Sequence, residues 1–339
     1  MRRLPEPGAT VDGRFRLDGV LGEGGMGRVY RAWDLTRGVP VALKVLSGDA
    51  RDVARFEREA QISARVDGLA GVVRVHAAGE WEGVHYLVSE LVEASDLSAF
   101  FALQPSAEEV VRVVISLAGT LQACHDRGVI HRDLKPANVL LGQEGDVPRL
   151  IDFGIAKQEG ALETLTQTGE LLGTPSYMAP EQADSSLGAI GPATDVYGLG
   201  AILYAGLCGR PPFVGNTLLV LSNLVSMPPP RLSSIRSGVD RGLEAVCLRA
   251  LAKRPEDRPT SAAAFAAELQ RALDGEAPPG KPWRSLALRL SVLILLALGG
   301  GLGYQAWLGA RGSELAPTPL SREPGDPLLA TRGAPLQGP

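Results

Sequence analysis

The sequence predicts an α+β fold of two lobes, the first rich in strands and the second in helices, followed by one transmembrane helix. Three observations lead there. Between residues 15 and 92, β-branched and aromatic runs are punctuated by glycine. Between residues 93 and 274, the chain turns mostly to helical patterning, and a strand-rich half before a helix-rich half points to α+β. Leu290–Leu308 carries no charge, and its roughly 19 residues at ~1.5 Å each span about 28 Å, close to the ~30 Å hydrocarbon core of a bilayer.

In chain order, residues 1–14 carry two arginines with no apolar run behind them, so the segment reads as a loose tail without a secretory signal. Strands follow in "FRLDGVLG", "GRVYRAWDL", "VPVALKVL" and "GVHYLVSEL". One helix interrupts them, "DVARFEREAQISARV", with Val53, Phe56, Ala60, Ser63 and Val66 on one face. In the second lobe "SAEEVVRVVISLAGTLQACHDRG" begins with Ser106 and places Glu109 three residues on, a capping-box pattern. "DVYGLGAILYAGLCG" and "SAAAFAAELQRALDG" read as further helices, each ending near a glycine.

Residues 275–289 form a basic, proline- and glycine-rich linker. Lys281, Arg284 and Arg289 precede the apolar run, charges of both signs follow it, and Trp283 and Trp307 bracket it. Positive charge marks the cytoplasmic side, which predicts a single-pass protein of the inner membrane with its lobes in the cytoplasm. Residues 309–339 then form an outer, disordered tail. The competing reading of 290–308 is a buried core helix; Pro278, Pro279 and Pro282 oppose it by separating the run from the lobes. Gly299 and Gly303 form a small-xxx-small pair that permits a homodimer through the span.

The net charge of −4 and pI near 5.7 argue against general nucleic-acid binding. Cys124, Cys208 and Cys247 are far apart, odd in number and without a CxxC pair, so they read as free thiols rather than zinc ligands.

Several short stretches carry chemistry. Gly22, Gly24 and Gly27 make a G-x-G-x-x-G, which alone fits a dinucleotide fold as well as a phosphate-covering hairpin. A dinucleotide fold would continue into a helix and an acidic ribose ligand about 20 residues on. Here strand-like "RVYRAWDL" follows, and then "VALK". Lys44 sits inside that apolar strand, where an ammonium needs an anion. Glu59 is a candidate partner and Glu57 its rival. "VIHRDLKPANVLL" packs His131, Asp133, Lys135 and Asn138 between apolar edges, and "LIDFGIA" places Asp152 where a short strand stops. Asn138 and Asp152 are oxygen donors suited to Mg²⁺, which takes one or two protein oxygens beside phosphates. Asp133 is placed to accept or orient a hydroxyl proton, and Lys135 to balance charge on a transferring group.

Taken together, Gly22-Glu-Gly-Gly-Met-Gly27, Val41-Ala-Leu-Lys44, His131-Arg-Asp-Leu-Lys-Pro-Ala-Asn138, Asp152-Phe-Gly154 and Ala179-Pro-Glu181 resemble, in order, the signature motifs of protein kinases. The resemblance covers residues 15–274, and five ordered motifs are specific. "GEGGMGRVY", "HRDLKPANVLL" and "GTPSYMAPEQA" are most similar to the eukaryotic-like Ser/Thr kinases of bacteria. A kinase domain joined by a basic linker to one span is similar to their receptor-like members.

The resemblance implies the bilobal kinase fold, with an N-lobe over 15–92 and a C-lobe over 93–274. It implies transfer of the γ-phosphate of ATP to Ser or Thr hydroxyls of protein substrates, with Mg²⁺, or Mn²⁺ in its place. Asp133 would be the catalytic carboxylate, supported by Lys135, Lys44 and Glu59. Nucleotide contacts would come from Leu21, Gly22, Gly24, Gly27, Val29, Ala42, Lys44, Glu90, Val92, Asn138 and Asp152, with Asn138 and Asp152 on the metal. A small Ser89 before the hinge would leave a pocket open behind the adenine. His131, Arg132, Phe153, Asp195 and the pair Glu181–Arg258 would be structural supports. Thr166 and Thr168 resemble an autophosphorylated pair, with Arg132 as the partner of the new charge. Two other functions compete with this one: a pseudokinase scaffold that binds nucleotide and partners without transfer, and a dinucleotide-binding oxidoreductase, which the strand after Gly27 opposes.

Overall fold

A computed structural model describes residues 4–24, 27–46, 61–142, 147–153 and 175–276. Alternation builds the first lobe. Strands β1 (Thr10–Val11), β2 (Phe15–Gly24), β3 (Gly27–Asp34), β4 (Val39–Leu46), β5 (Val75–Trp81) and β6 (Val84–Glu90) form one sheet in the order β1-β2-β3-β4-β6-β5. Tyr30, Ala32, Val41, Leu43, Val45, Tyr86 and Val88 point to one face and bury there with Val11, Phe15 and Leu17. The residues between them point the other way, because successive side chains in a strand face opposite sides. That second face carries Val29, Ala42, Lys44, Leu87 and Ser89, with Lys44 directly opposite both Val29 and Leu87.

Two features of this lobe depart from the sequence reading. The segment 1–14, expected as a loose tail, is built into the lobe from residue 4 on. β1 pairs with β2, Leu17 donates its N–H to Ala9, and Gly8 donates to Leu17. The cause is tertiary: Tyr30 and Tyr86 bury their rings, and their hydroxyls need acceptors. Pro5 O takes the first at 2.6 Å and Asp12 the second at 2.6 Å. The other departure is β5, an edge strand absent from the sequence reading. It contains Gly79, where a Cβ would lie 2.5 Å from the Tyr86 hydroxyl. Of the predicted intervening helix, residues 61–65 are described and are helical.

The second lobe comprises α1 (Leu97–Ala102), α2 (Ala107–Asp126), α3 (Pro180–Ala183), α4 (Pro192–Cys208), α5 (Thr217–Ser226), α6 (Arg241–Ala250) and α7 (Ala262–Leu273). A small sheet, β7 (Ser95–Asp96), β8 (Val139–Leu141) and β9 (Arg149–Leu150), lies beside them. The capping box at α2 forms as its sequence predicts: Ser106 Oγ accepts from Glu109 N–H, and Glu109 accepts from Ser106 N–H. α4 is buried from Thr194 to Leu207 and packs against α2, α6 and α7. Such all-round burial leaves little amphipathicity, as expected of a helix at the centre of a lobe. Gly198 lets the loop before β8 lie against it, since a Cβ there would come within 2.7 Å of Leu134. Cys124, Cys208 and Cys247 are all free thiols. Among the described residues no helix is long and apolar enough to cross a membrane. The predicted span 290–308 and the segments on either side, 277–289 and 309–339, lie outside the described residues.

Candidate active site

The loop from Val129 to Asn138 is shaped by what it is tied to. Asp195, on the first turn of α4, accepts from the backbone N–H of His131 at 2.8 Å and of Arg132 at 2.8 Å, and contacts His125 Nε2 at 2.8 Å. His131 is fully buried. Its Nδ1 accepts from Asp133 N–H at 3.4 Å, so its Nε2–H faces the Ile151 carbonyl at 3.1 Å. Burial lowers its pKa, which favours the neutral ring these contacts require. The ring lies 4.8 Å from that of Phe153. His131 and Phe153 thus sit where packing residues would, with no free imidazole nitrogen for proton transfer.

Asp133 and its neighbours form a tight polar group. Lys135 Nζ donates to Asp133 Oδ2 at 2.9 Å. Asn138 Nδ2 donates to Asp133 O at 2.8 Å and to Oδ2 at 3.1 Å. Both partners can only accept, so the orientation of the amide is determined and its oxygen is the atom left for a cation. The Asn138 carbonyl accepts from Ile151 N–H at 3.1 Å, which ties this loop to the residue before Asp152. Asp152 has φ 53°, a left-handed turn that ends the chain's run from β9. Lys44 Nζ reaches it from β4 at 2.8 Å. Lys44, Asp133, Asn138 and Asp152 are therefore brought together through a continuous set of contacts. Among the described residues, no group of three or more His, Cys, Asp or Glu could hold a metal ion. A cation here would need Asn138, Asp152 and phosphate oxygens, and the donor set fits Mg²⁺ on those terms.

The remaining predicted residues are placed as follows. Gly22, Gly24 and Gly27 occupy the β2–β3 hairpin, with Gly24 opposite Gly27. Gly27 has a second reason to be glycine: its φ is +153°, and a Cβ would lie 1.9 Å from the Val45 carbonyl. Leu21 is exposed at that hairpin, Val29 stands opposite Lys44, and Ala42 stands opposite Ser89. Glu90 does not direct its carboxylate into the cleft. Arg149 pairs with it, and Arg74 N–H donates to it at 2.8 Å. Val92 follows in the connection to the second lobe. Glu181 and Arg258 make a doubly hydrogen-bonded pair, 2.7 Å on each side and fully buried. Thr194 donates to the same carboxylate at 2.8 Å. Glu59, Gly154, Thr166 and Thr168 lie outside the described residues.

Sequence reasoning passed over His125, Thr194 and Arg149. His125 is the last basic residue of α2, and nothing in its local pattern distinguishes it from a surface helix terminus. Only the arrival of α4 beside it makes it a ligand of Asp195.

The chain matches the protein kinase domain family over residues 15–269. It is 34% identical over 338 residues to the serine/threonine-protein kinase PknL of Mycobacterium tuberculosis, covering 96% of this chain and 82% of that protein. It is 37% identical over 286 residues to the serine/threonine-protein kinase pkn3 of Myxococcus xanthus, covering 79% and 51%. With Pkn1 of the same organism the identity is 42% over 272 residues, covering 77% and 38%. The chain thus spans about half or less of the two Myxococcus relatives. Among solved structures, the kinase domain of M. tuberculosis PknI is similar with a TM-score of 0.62 and 30% identity, covering 79% of this chain and 99% of that one.

Proposed function

Because this chain belongs to the protein kinase family, we propose that it transfers the γ-phosphate of ATP to serine or threonine hydroxyls of proteins. The observation that carries this reading is the convergence of Lys44, Asp133, Asn138 and Asp152, from three separated stretches, into one set of contacts. The names of the relatives, all serine/threonine-protein kinases, support the choice of acceptor, as does a lysine two residues after Asp133.

In this reading Asp133 orients the acceptor hydroxyl and takes its proton as the new O–P bond forms at the γ-phosphorus. The bond from that phosphorus to the β,γ-bridging oxygen breaks, and ADP carries the leaving oxygen away. Lys135 lies beside Asp133 and offsets charge on the transferring group. Lys44 would grip phosphate oxygens, and Glu59, outside the described residues, is the partner that the resemblance implies for it. Asn138 and Asp152 would hold Mg²⁺ or Mn²⁺, which neutralises phosphate charge when bound. The exposed Leu21, with Val29 and Ala42 on the cleft face, would form apolar walls for the base. Glu90 and Val92 would contribute backbone there, since the carboxylate of Glu90 is engaged elsewhere.

Autophosphorylation of Thr166 and Thr168, raising activity, belongs to the same proposal. Its support is Arg132, whose buried Nε has no hydrogen-bond partner among the described residues. A phosphothreonine would offer that nitrogen a charged acceptor. Anchoring of the kinase to the inner membrane by residues 290–308, with lipid around that span, is proposed on the charge-free run and its basic approach.

The test is transfer of label from γ-labelled ATP to a Ser/Thr-containing protein in the presence of Mg²⁺, with Asp133→Asn as the control. Labelling by the wild-type chain that the variant lacks is expected. Nucleotide binding without any transfer would leave the scaffold reading in its place.

A further inference from the structure

Arg132 has φ 66°, the left-handed region in which a side chain is strained. Such a conformation persists only where its surroundings over-determine it. Its N–H is held by Asp195 at 2.8 Å. Its carbonyl is held from another direction, by Gln182 Nε2 at 2.7 Å. Gln182 lies on α3, is 5% exposed, and accepts from Ala179 N–H at 2.9 Å through its Oε1. One partner can only accept and the other can only donate, so the amide has one orientation and both its ends are used. The preceding residue, Glu181, bolts α3 to Arg258.

The Arg132 carbonyl belongs to the peptide unit that ends in the Asp133 N–H. That unit is pinned at its oxygen by Gln182 and at its hydrogen by His131 Nδ1, 3.4 Å away. Rotating it would swing the Asp133 side chain. We propose that Gln182 is a positioning residue for phosphotransfer: through the Arg132 carbonyl it sets the direction of the Asp133 carboxylate, and it ties that direction to the start of α3. This rests on Asp133 being the catalytic carboxylate. Nothing in "APEQA" announces the role, because it depends on a carbonyl 50 residues earlier in the chain.

The experiment compares the full-length chain with Gln182→Leu and Gln182→Glu in steady-state phosphotransfer with ATP and Mg²⁺. Gln182→Leu removes both bonds at similar volume. Gln182→Glu keeps the acceptor for Ala179 and loses the donor to Arg132 while ionised. Both are expected to lower kcat about 10- to 100-fold, the scale set by small misplacement of a reacting group, with the KM for ATP within about twofold. The Gln182→Glu enzyme carries a further signature. A protonated Glu can donate as Gln does, so its kcat relative to wild type should rise as the pH is lowered from about 8 to about 6, helped by the raised pKa of a buried carboxyl. Should Gln182→Leu not fold, Gln182→Glu carries the test. Folded variants with wild-type kcat overturn the inference. So does a loss shared by kcat and ATP affinity with a kcat ratio flat in pH, which marks a structural role alone. Those outcomes leave Asp133 untouched, whereas a wild-type chain without Asp133-dependent transfer overturns the kinase reading and this inference with it.

Discussion

The two sides of the site are held in opposite ways. On the second lobe, the loop bearing Asp133 hangs from Asp195, His131 and Gln182, each 5% exposed or less, and the buried Glu181–Arg258 pair fixes the helix that carries Gln182. On the first lobe, Lys44 meets Asp152 at 18% and 46% side-chain exposure, across a sequence gap of 108 residues. Buried, multiply bonded groups keep their geometry because breaking any one bond strands a polar atom away from water. An ion pair whose carboxylate is nearly half exposed is screened on that side, and solvent-exposed pairs are worth about 0–1 kcal/mol. In the proposed reading, the side that would take the proton is held by buried bonds, and the side that would grip phosphate meets through a partly exposed ion pair.

Substitutions can break or sharpen that contrast. The largest expected effect on the fold is Arg258→Ala. It leaves Glu181 charged and buried, and should cost about 3–5 kcal/mol, or roughly 10 °C in melting temperature by thermal denaturation. If the loss is under about 1 kcal/mol, the second lobe is not anchored as described. Asp133→Asn should lower kcat by about 10²–10³-fold, the scale of lost general-base help, while the melting temperature stays within a few degrees. A stability loss as large as that of Arg258→Ala would make Asp133 a fold element instead.

A pH test belongs to the first lobe. Its hydrogen bonds from Arg14 hold the Asp34 carboxyl at about 2, below the ordinary 3.8. A depressed carboxylate stabilises the folded state above the unfolded pKa and loses that contribution as the pH falls through the folded value. The loss should therefore run between about pH 4 and about pH 2, amount to about 1–2 kcal/mol, and be absent in Asp34→Asn when chemical denaturation is followed across that range. The smallest stability effect is expected from Lys44→Met, within about 1 kcal/mol of wild type. The same variant should lose nucleotide-dependent activity, seen as a raised ATP KM or a lowered kcat. A large stability loss would erase the proposed difference between the two sides.

Much of this was legible beforehand wherever the signal is local. β4 was readable as a strand from alternation in "VPVALKVL", and the start of α2 from Ser106 and Glu109, because both patterns repeat within a few residues. β1 and β5 were not: one is a strand of two residues, the other mixes alanine and glycine, and neither alternates strongly enough to stand out. In the site, Asp133, Asn138 and Asp152 were readable as a group by resemblance, whereas Glu90 was readable only as a position in the hinge. That its carboxylate turns to Arg149 and the Arg74 N–H follows from a loop and a strand that converge on it from both sides in sequence.

By itself the sequence determined which groups are available and where periodic segments lie: a lysine within an apolar strand, a carboxylate at a strand end, glycines in a hairpin. Residue type and short-range period suffice for these. Tertiary structure alone decided the partners: His125 and two backbone N–H groups on Asp195, Tyr30 on Pro5, Gln182 on Arg132. A hydrogen bond depends on direction and on tenths of an ångström between segments far apart in the chain, and these exist only once the helices and the sheet have packed.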